Sequence, residues 1–298
     1  MTMRRLIDDI KFSFGNAQAL YRLMAVNVGV FLLLMLIRTV LFLSGGGDFP
    51  YTFLVRQLSL PADPFSIVLQ PWSLLTYMFL HTDLLHILFN MLVLFWSGRL
   101  YSEYLGNRKL TGVYLMGGFS GAALYLLAYQ LLPAFDGTSS GAHLLGASAG
   151  VIAVMVGIAT LLPEYTVHLL LIGPVRLKFV AAFSVVLYFI SIPMGNAGGH
   201  IAHLGGALAG FFIVRALQKG RDLTAWLSVF ERKGGNNKSR RRMKVVSRKA
   251  FSDDELFHRD QVASQELVDR ILDKINKSGF DSLTNDEKEV LYRASKKS

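Results

Sequence analysis

Long apolar blocks alternate with short polar ones along this chain. Six blocks are apolar enough to cross a bilayer, at about residues 24–44, 74–97, 111–133, 146–162, 178–194 and 199–217. They predict an all-α, polytopic membrane protein with six transmembrane helices. A soluble-looking loop fills the gap between the first two blocks, to about residue 71. The first block lacks a small-residue cleavage site and reads as a retained helix rather than a signal peptide. No internal repeat is visible, which argues against a transporter built from inverted halves.

The distribution of Lys and Arg sets the expected orientation. Residues 1–23 carry Arg4, Arg5, Lys11 and Arg22 and read as an amphipathic cytoplasmic segment. Further basic residues fall at Arg99, Arg108 and Lys109, at Arg176 and Lys178, and after the sixth block, while the intervening loops are nearly free of them. The positive-inside rule then places both termini in the cytoplasm. The formal net charge is +10. In a soluble chain that would suggest nucleic acid, but here the charges flank membrane spans, and no nucleic-acid partner is expected. There is no cysteine, which excludes disulfides and cysteine-ligated metals; neither metal nor cofactor is expected.

The blocks define a membrane domain at 24–217, and composition changes after it. Residues 218–252 form a basic juxtamembrane linker containing Arg232, Lys233, Lys238, Arg240, Arg241, Arg242, Lys244, Arg248 and Lys249. It suits contact with anionic lipid head groups, and equally an orientation signal within a solvated linker. In residues 253–298, Val268, Ile271, Leu272 and Ile275 repeat at helical spacing until Gly279. Thr284 and Glu287 then open a second short helix with a capping box. This small soluble helical hairpin is too short to hold much core alone and needs a partner, which the sequence does not identify.

Candidate chemistry lies at the heads of the even-numbered blocks. Gly146-Ala147-Ser148-Ala149-Gly150 surrounds one hydroxyl with small residues. By itself that is a common packing device between membrane helices. The sixth block answers it with His203, followed by Gly206 and Gly210. Two helices with small faces, one bearing a serine and the other a histidine, can approach closely enough for an activated nucleophile. Gly146 and Gly150 are expected to meet Gly206 and Gly210. The predicted topology brings both blocks in from the same side, so Ser148 and His203 lie at similar depth. The second block enters from that side too, bringing His81, His86 and Asn90. His86 and Asn90, four residues apart, share a helix face. His81 and His200 read as a satisfied polar residue and a water-facing residue.

His86-Ile-Leu-Phe-Asn90, Gly146-x-Ser148 and Ala202-His203-x-x-Gly206-x-x-x-Gly210, in that order on a six-helix layout, resemble the rhomboid intramembrane serine proteases. The resemblance covers roughly residues 20–217 and is closest to the bacterial type, some members of which carry a similar tail. It implies a rhomboid-like bundle in a bacterial inner membrane. Ser148 would be the nucleophile and His203 its general base, a dyad with no third carboxylate. His86 and Asn90, with the Ser148 backbone N–H, would bind the oxyanion. Substrates would be single-span or other membrane proteins, cut in or near their transmembrane segments. Four positions depart from the pattern. Ala149 follows the serine where glycine is commoner, and Ile152 stands where relatives often carry an aromatic that stacks on the histidine. Trp72-Ser73 replaces a Trp-Arg pair, and Ser102 replaces a glutamate. A non-catalytic relative on the same scaffold, binding transmembrane clients, is the alternative. The retained serine and histidine distinguish the two, because a binder needs neither.

Overall fold

The computed structural model describes residues 18–139, 141–169 and 173–229, with isolated positions at 271, 274, 275 and 284. The chain divides into two compact units, residues 1–232 and 233–298. The sequence-predicted hairpin at 253–298, most of the basic linker and the segment ahead of residue 18 lie outside the described residues. The membrane helices belong to the first unit.

Five described helices are long and apolar enough to cross a membrane, and a sixth is shorter. We number the helices α1 Gln18–Leu43, α2 Phe49–Leu58, α3 Pro64–Leu69, α4 Ser73–Thr76, α5 Leu84–Leu105, α6 Asn107–Leu131, α7 Ser148–Leu161, α8 Leu177–Ser191 and α9 Ala197–Gln218. Two short antiparallel ladders join loops. β1 (Leu60–Pro61) pairs with β2 (His143–Leu144), and β3 (Thr166–Leu169) pairs with β4 (Gly173–Arg176). At 26 residues α1 rises about 39 Å, more than a hydrocarbon core of about 30 Å requires.

The second span differs from its predicted 74–97. Asp83 caps α5, its carboxylate accepting from the His86 N–H at 2.8 Å, and the helix runs on to Gly106 at φ +85°. The apolar residues before it do not cross. They form α4 and a 3-10 turn, Tyr77–Phe79, that folds into the bundle with Tyr77 and Met78 fully buried. Arg99, expected to end the span, lies on its exposed face. The preceding loop carries α2 and α3, which expose Phe49, Phe53, Phe65, Val68 and Leu69. Apolar side chains exposed on short helices of a membrane domain suit the lipid interface better than water.

Helix α7 is the centre. It has 14 residues, and every one from Ala149 to Ala159 is buried. A helix apolar on all sides needs walls on all sides, and α5, α6 and α9 supply them. Small residues allow backbone to approach backbone. A Cβ on Gly206 would strike the Ala149 carbonyl, and one on Gly210 would strike the Ala153 carbonyl. Gly150 faces the Tyr114 carbonyl and ring of α6. The expected pairing of Gly206 and Gly210 with Gly146 and Gly150 is therefore corrected: the alanines at 149 and 153 face α9. Gly146 precedes the helix altogether. The reason is angular, since residues four apart share one stripe, and Ala149 and Ala153 form the stripe turned toward α9.

At the other membrane face, Glu164 pairs with Arg176 at 2.9 Å and with Lys178 at 2.5 Å. The Lys178 hydrogen bond is the main reason that the Glu164 carboxyl titrates below the ordinary range. After α9 the chain stays with the membrane unit to residue 229, where the sequence suggests a linker. Asp222 pairs with Arg108 at 2.5 Å, and buried Thr224 fills the space over Gly112.

Candidate active site

The residues predicted to react arrive from three helix N-terminal ends. Ser148 is the first residue of α7, His203 lies in the second turn of α9, and His86 lies in the first turn of α5. Successive crossings alternate in direction, so these three ends share one side of the membrane. His203 Nε2 lies 2.6 Å from Ser148 Oγ, a hydrogen bond between side chains 55 residues apart. Both are half-buried. The buried Nδ1 of His203 has no hydrogen-bond partner among the described residues, so no carboxylate or carbonyl there orients the ring.

The loop ahead of Ser148 explains its placement. Gly146 sits at φ +125°, a conformation that favours glycine, and its N–H donates to the Tyr77 carbonyl at 2.9 Å. A Cβ there would also lie 2.7 Å from Cε1 and 3.1 Å from Nε2 of His86, and 3.7 Å from Ser148 Oγ. Only glycine leaves the His86 ring room beside the serine. The N–H groups of Ser148, Ala149 and Gly150 lie in the first turn of α7, where a helix offers no internal acceptor. The surroundings of Ser148 thus contain a basic nitrogen, an imidazole across Gly146 and uncommitted backbone donors.

Asn90 lies one turn after His86 on α5. Its amide N–H groups point to the His86 carbonyl at 2.9 Å and to His81 Nε2 at 3.3 Å. His81, read as a satisfied polar residue, is fully buried and packs its ring edge-on at 5.0 Å from that of His86. His200 lies beside the dyad, its ring 5.8 Å from that of His203. Tyr188 of α8 lies closer, at 4.4 Å and 64° to the His203 ring. The sequence offers one faint signal for it, as the single tyrosine of the fifth apolar block.

Residues 68–219, half of the chain, match the Rhomboid domain. The chain belongs to the rhomboid family. One relative, RHOMBOID-like protein 12, mitochondrial, of Arabidopsis thaliana, is 30% identical over 158 residues. That alignment covers 50% of this chain and 47% of the relative, so it spans about half the length of each. Residues 252–297 match a second family, DUF6576, of unknown function. The Rhomboid match takes in α5 to α9 and so every residue of the candidate site, and the protein is a multi-pass rhomboid of the membrane.

Proposed function

We propose that this rhomboid is a serine endopeptidase that hydrolyses peptide bonds in or near transmembrane segments of other membrane proteins. The observation that carries the reading is the 2.6 Å contact between His203 Nε2 and Ser148 Oγ. In this reading Ser148 Oγ attacks the scissile carbonyl carbon while His203 Nε2 takes its proton. The Ser148 N–H and the His86 ring stabilise the oxyanion. Asn90 joins them once its amide turns from the His86 carbonyl; in the resting geometry it braces His86. The C–N bond breaks as His203 returns the proton to the leaving amine. Water then attacks the ester carbonyl, giving its proton to His203, and the acyl–oxygen bond breaks as His203 returns that proton to Ser148 Oγ.

A helix hides its carbonyls in its own hydrogen bonds, so favoured substrates carry small or helix-breaking residues near the cut. Purified protein in lipid nanodiscs, given a single-span substrate of that kind, should cleave it. Ser148→Ala and His203→Ala should each abolish cleavage while remaining folded. Wild-type protein that binds but never cuts such a substrate would instead make it a client-binding relative.

The Lys/Arg distribution supports cytoplasmic termini, with the dyad near the outer face, and the resemblance to bacterial rhomboids is what favours a bacterial inner membrane. Reporter fusions after residues 20 and 220 test this, and periplasmic activity at either site would reverse the orientation. The basic linker suits anionic lipid. Sedimentation with vesicles that contain phosphatidylglycerol, and not with neutral ones, would support that contact.

A further inference from the structure

An imidazole that acts as a base is usually oriented through its other nitrogen, by a carboxylate or carbonyl. His203 has no such partner among the described residues. Ile152, one turn after Ser148 on the same face of α7, offers only an aliphatic side chain. What does bear on the imidazole is the Tyr188 ring, with centroids 4.4 Å apart and planes at 64°. This is edge-to-face packing, within the range in which aromatic pairs attract beyond simple burial. Tyr188 also lies near-parallel to the His200 ring at 6.2 Å, so three rings close around the outer end of α9. Tyr188 itself stands on a loosely held helix, as only Leu177 and Ala181 of α8 are buried.

We propose that the Tyr188 ring, delivered by α8, is the group that orients His203 toward Ser148. It is a positioning residue and touches no reacting atom. The proposal rests on the Ser148–His203 dyad. Its consequence is that the aim of the base depends on where α8 stands: outward movement of α8 withdraws the ring from the imidazole.

The test measures the second-order rate at which a fluorophosphonate probe phosphonylates Ser148 in nanodiscs, with the thermal unfolding midpoint as the check on folding. The serine displaces fluoride from phosphorus as its proton passes to His203, so the rate reports the aim of the base. Tyr188→Ala should slow labelling about 10- to 100-fold, the scale expected when a reacting group is misplaced by about 1 Å. Its unfolding midpoint should stay near wild type, because the side chain is only half-buried. Tyr188→Phe keeps the ring and should label at close to the wild-type rate. Tyr188→Ala combined with Ile152→Phe, which supplies a ring from α7, should recover much of the loss. Tyr188→Ala labelling at the wild-type rate would overturn the proposal and leave the dyad intact. So would Tyr188→Phe falling as far as Tyr188→Ala, since the hydroxyl would then be the operative group. A wild-type chain inert to the probe, by contrast, would overturn the dyad on which the proposal rests.

Discussion

Adding a single methyl group at Gly206 should damage catalysis more than its size suggests. Gly206 lies three residues after His203 on α9, and its Cα faces the Ala149 backbone, next to Ser148. A Cβ there would lie 2.8 Å from the Ala149 carbonyl carbon and 3.0 Å from its Cα, and nearer still to its oxygen. Ordinary carbon–carbon contact is about 3.5–4.0 Å. The obstacle is backbone, which cannot swing aside as a side chain can, so α7 and α9 must part by about 1 Å. That displacement falls on the two helix turns that hold the dyad. It would stretch the 2.6 Å Ser148–His203 hydrogen bond past about 3.5 Å, where it no longer qualifies as one. A misplacement of about 1 Å can cost on the order of 100-fold in rate. Alanine improves helix propensity over glycine by about 1 kcal/mol, so any loss of stability arises in spite of that gain. Gly210→Ala makes a similar clash with Ala153 one turn further from the dyad and should lower the unfolding midpoint with a smaller loss of rate. Gly29→Ala, with nothing within 4 Å, serves as the neutral control. Cleavage rates and unfolding midpoints of the three variants in one detergent make the test. Gly206→Ala matching wild type in both would refute the account of how α7 and α9 meet.

The same geometry sets three further outcomes. His86→Ala and Asn90→Ala should each lower kcat/KM, by about 10- to 1,000-fold for loss of an oxyanion donor; wild-type kinetics in both would remove α5 from the site. Protein truncated after residue 250 should cleave a model substrate at a nearly unchanged rate, because every proposed reacting group precedes residue 218, and loss of most activity in a folded truncate would contradict this. Burial acts to raise the Asp222 carboxyl, but Thr224 hydrogen bonds and the charges of Arg108 and Lys109 outweigh it and hold the group below 3.8. A lowered carboxyl stabilises the fold above its unfolded pKa, and the contribution is lost as pH falls through the folded value. Asp222→Asn should therefore lower the unfolding midpoint at pH 7, and the gap from wild type should close in acid as the Asp222 carboxyl protonates; a difference that persists in acid would point to packing instead.

Much of the site is legible in the sequence because catalysis in a membrane needs unusual residues in unusual places. A serine among small residues and a histidine above a GxxxG pair stand out against apolar surroundings, and three motifs in order name the family. The start of the second span is not legible, because hydropathy runs almost unbroken from Leu74 to Leu94. Only the Asp83 cap, a local hydrogen bond, separates a buried turn from a crossing helix. Gly146 reads as half of a packing pair, yet its positive φ and the His86 ring against it make it a loop glycine. The same five-residue stretch therefore serves two ends: Gly146 shapes the loop, and Ala149 and Gly150 pack the helix. Asn90 lies on the expected face, but its amide is turned to His81, a partner brought close by the loop rather than by helical spacing. Tyr188 escapes notice because a tyrosine in an outer span is ordinary until its neighbour is known to be the base.

The most direct test of the central claim is to locate the covalent adduct. Protein in nanodiscs is treated with a fluorophosphonate, digested and mapped by mass spectrometry. The account predicts one adduct, on the peptide that contains Ser148, absent from Ser148→Ala and nearly absent from His203→Ala. An unmodified Ser148 in folded protein, or full modification in His203→Ala, would contradict it.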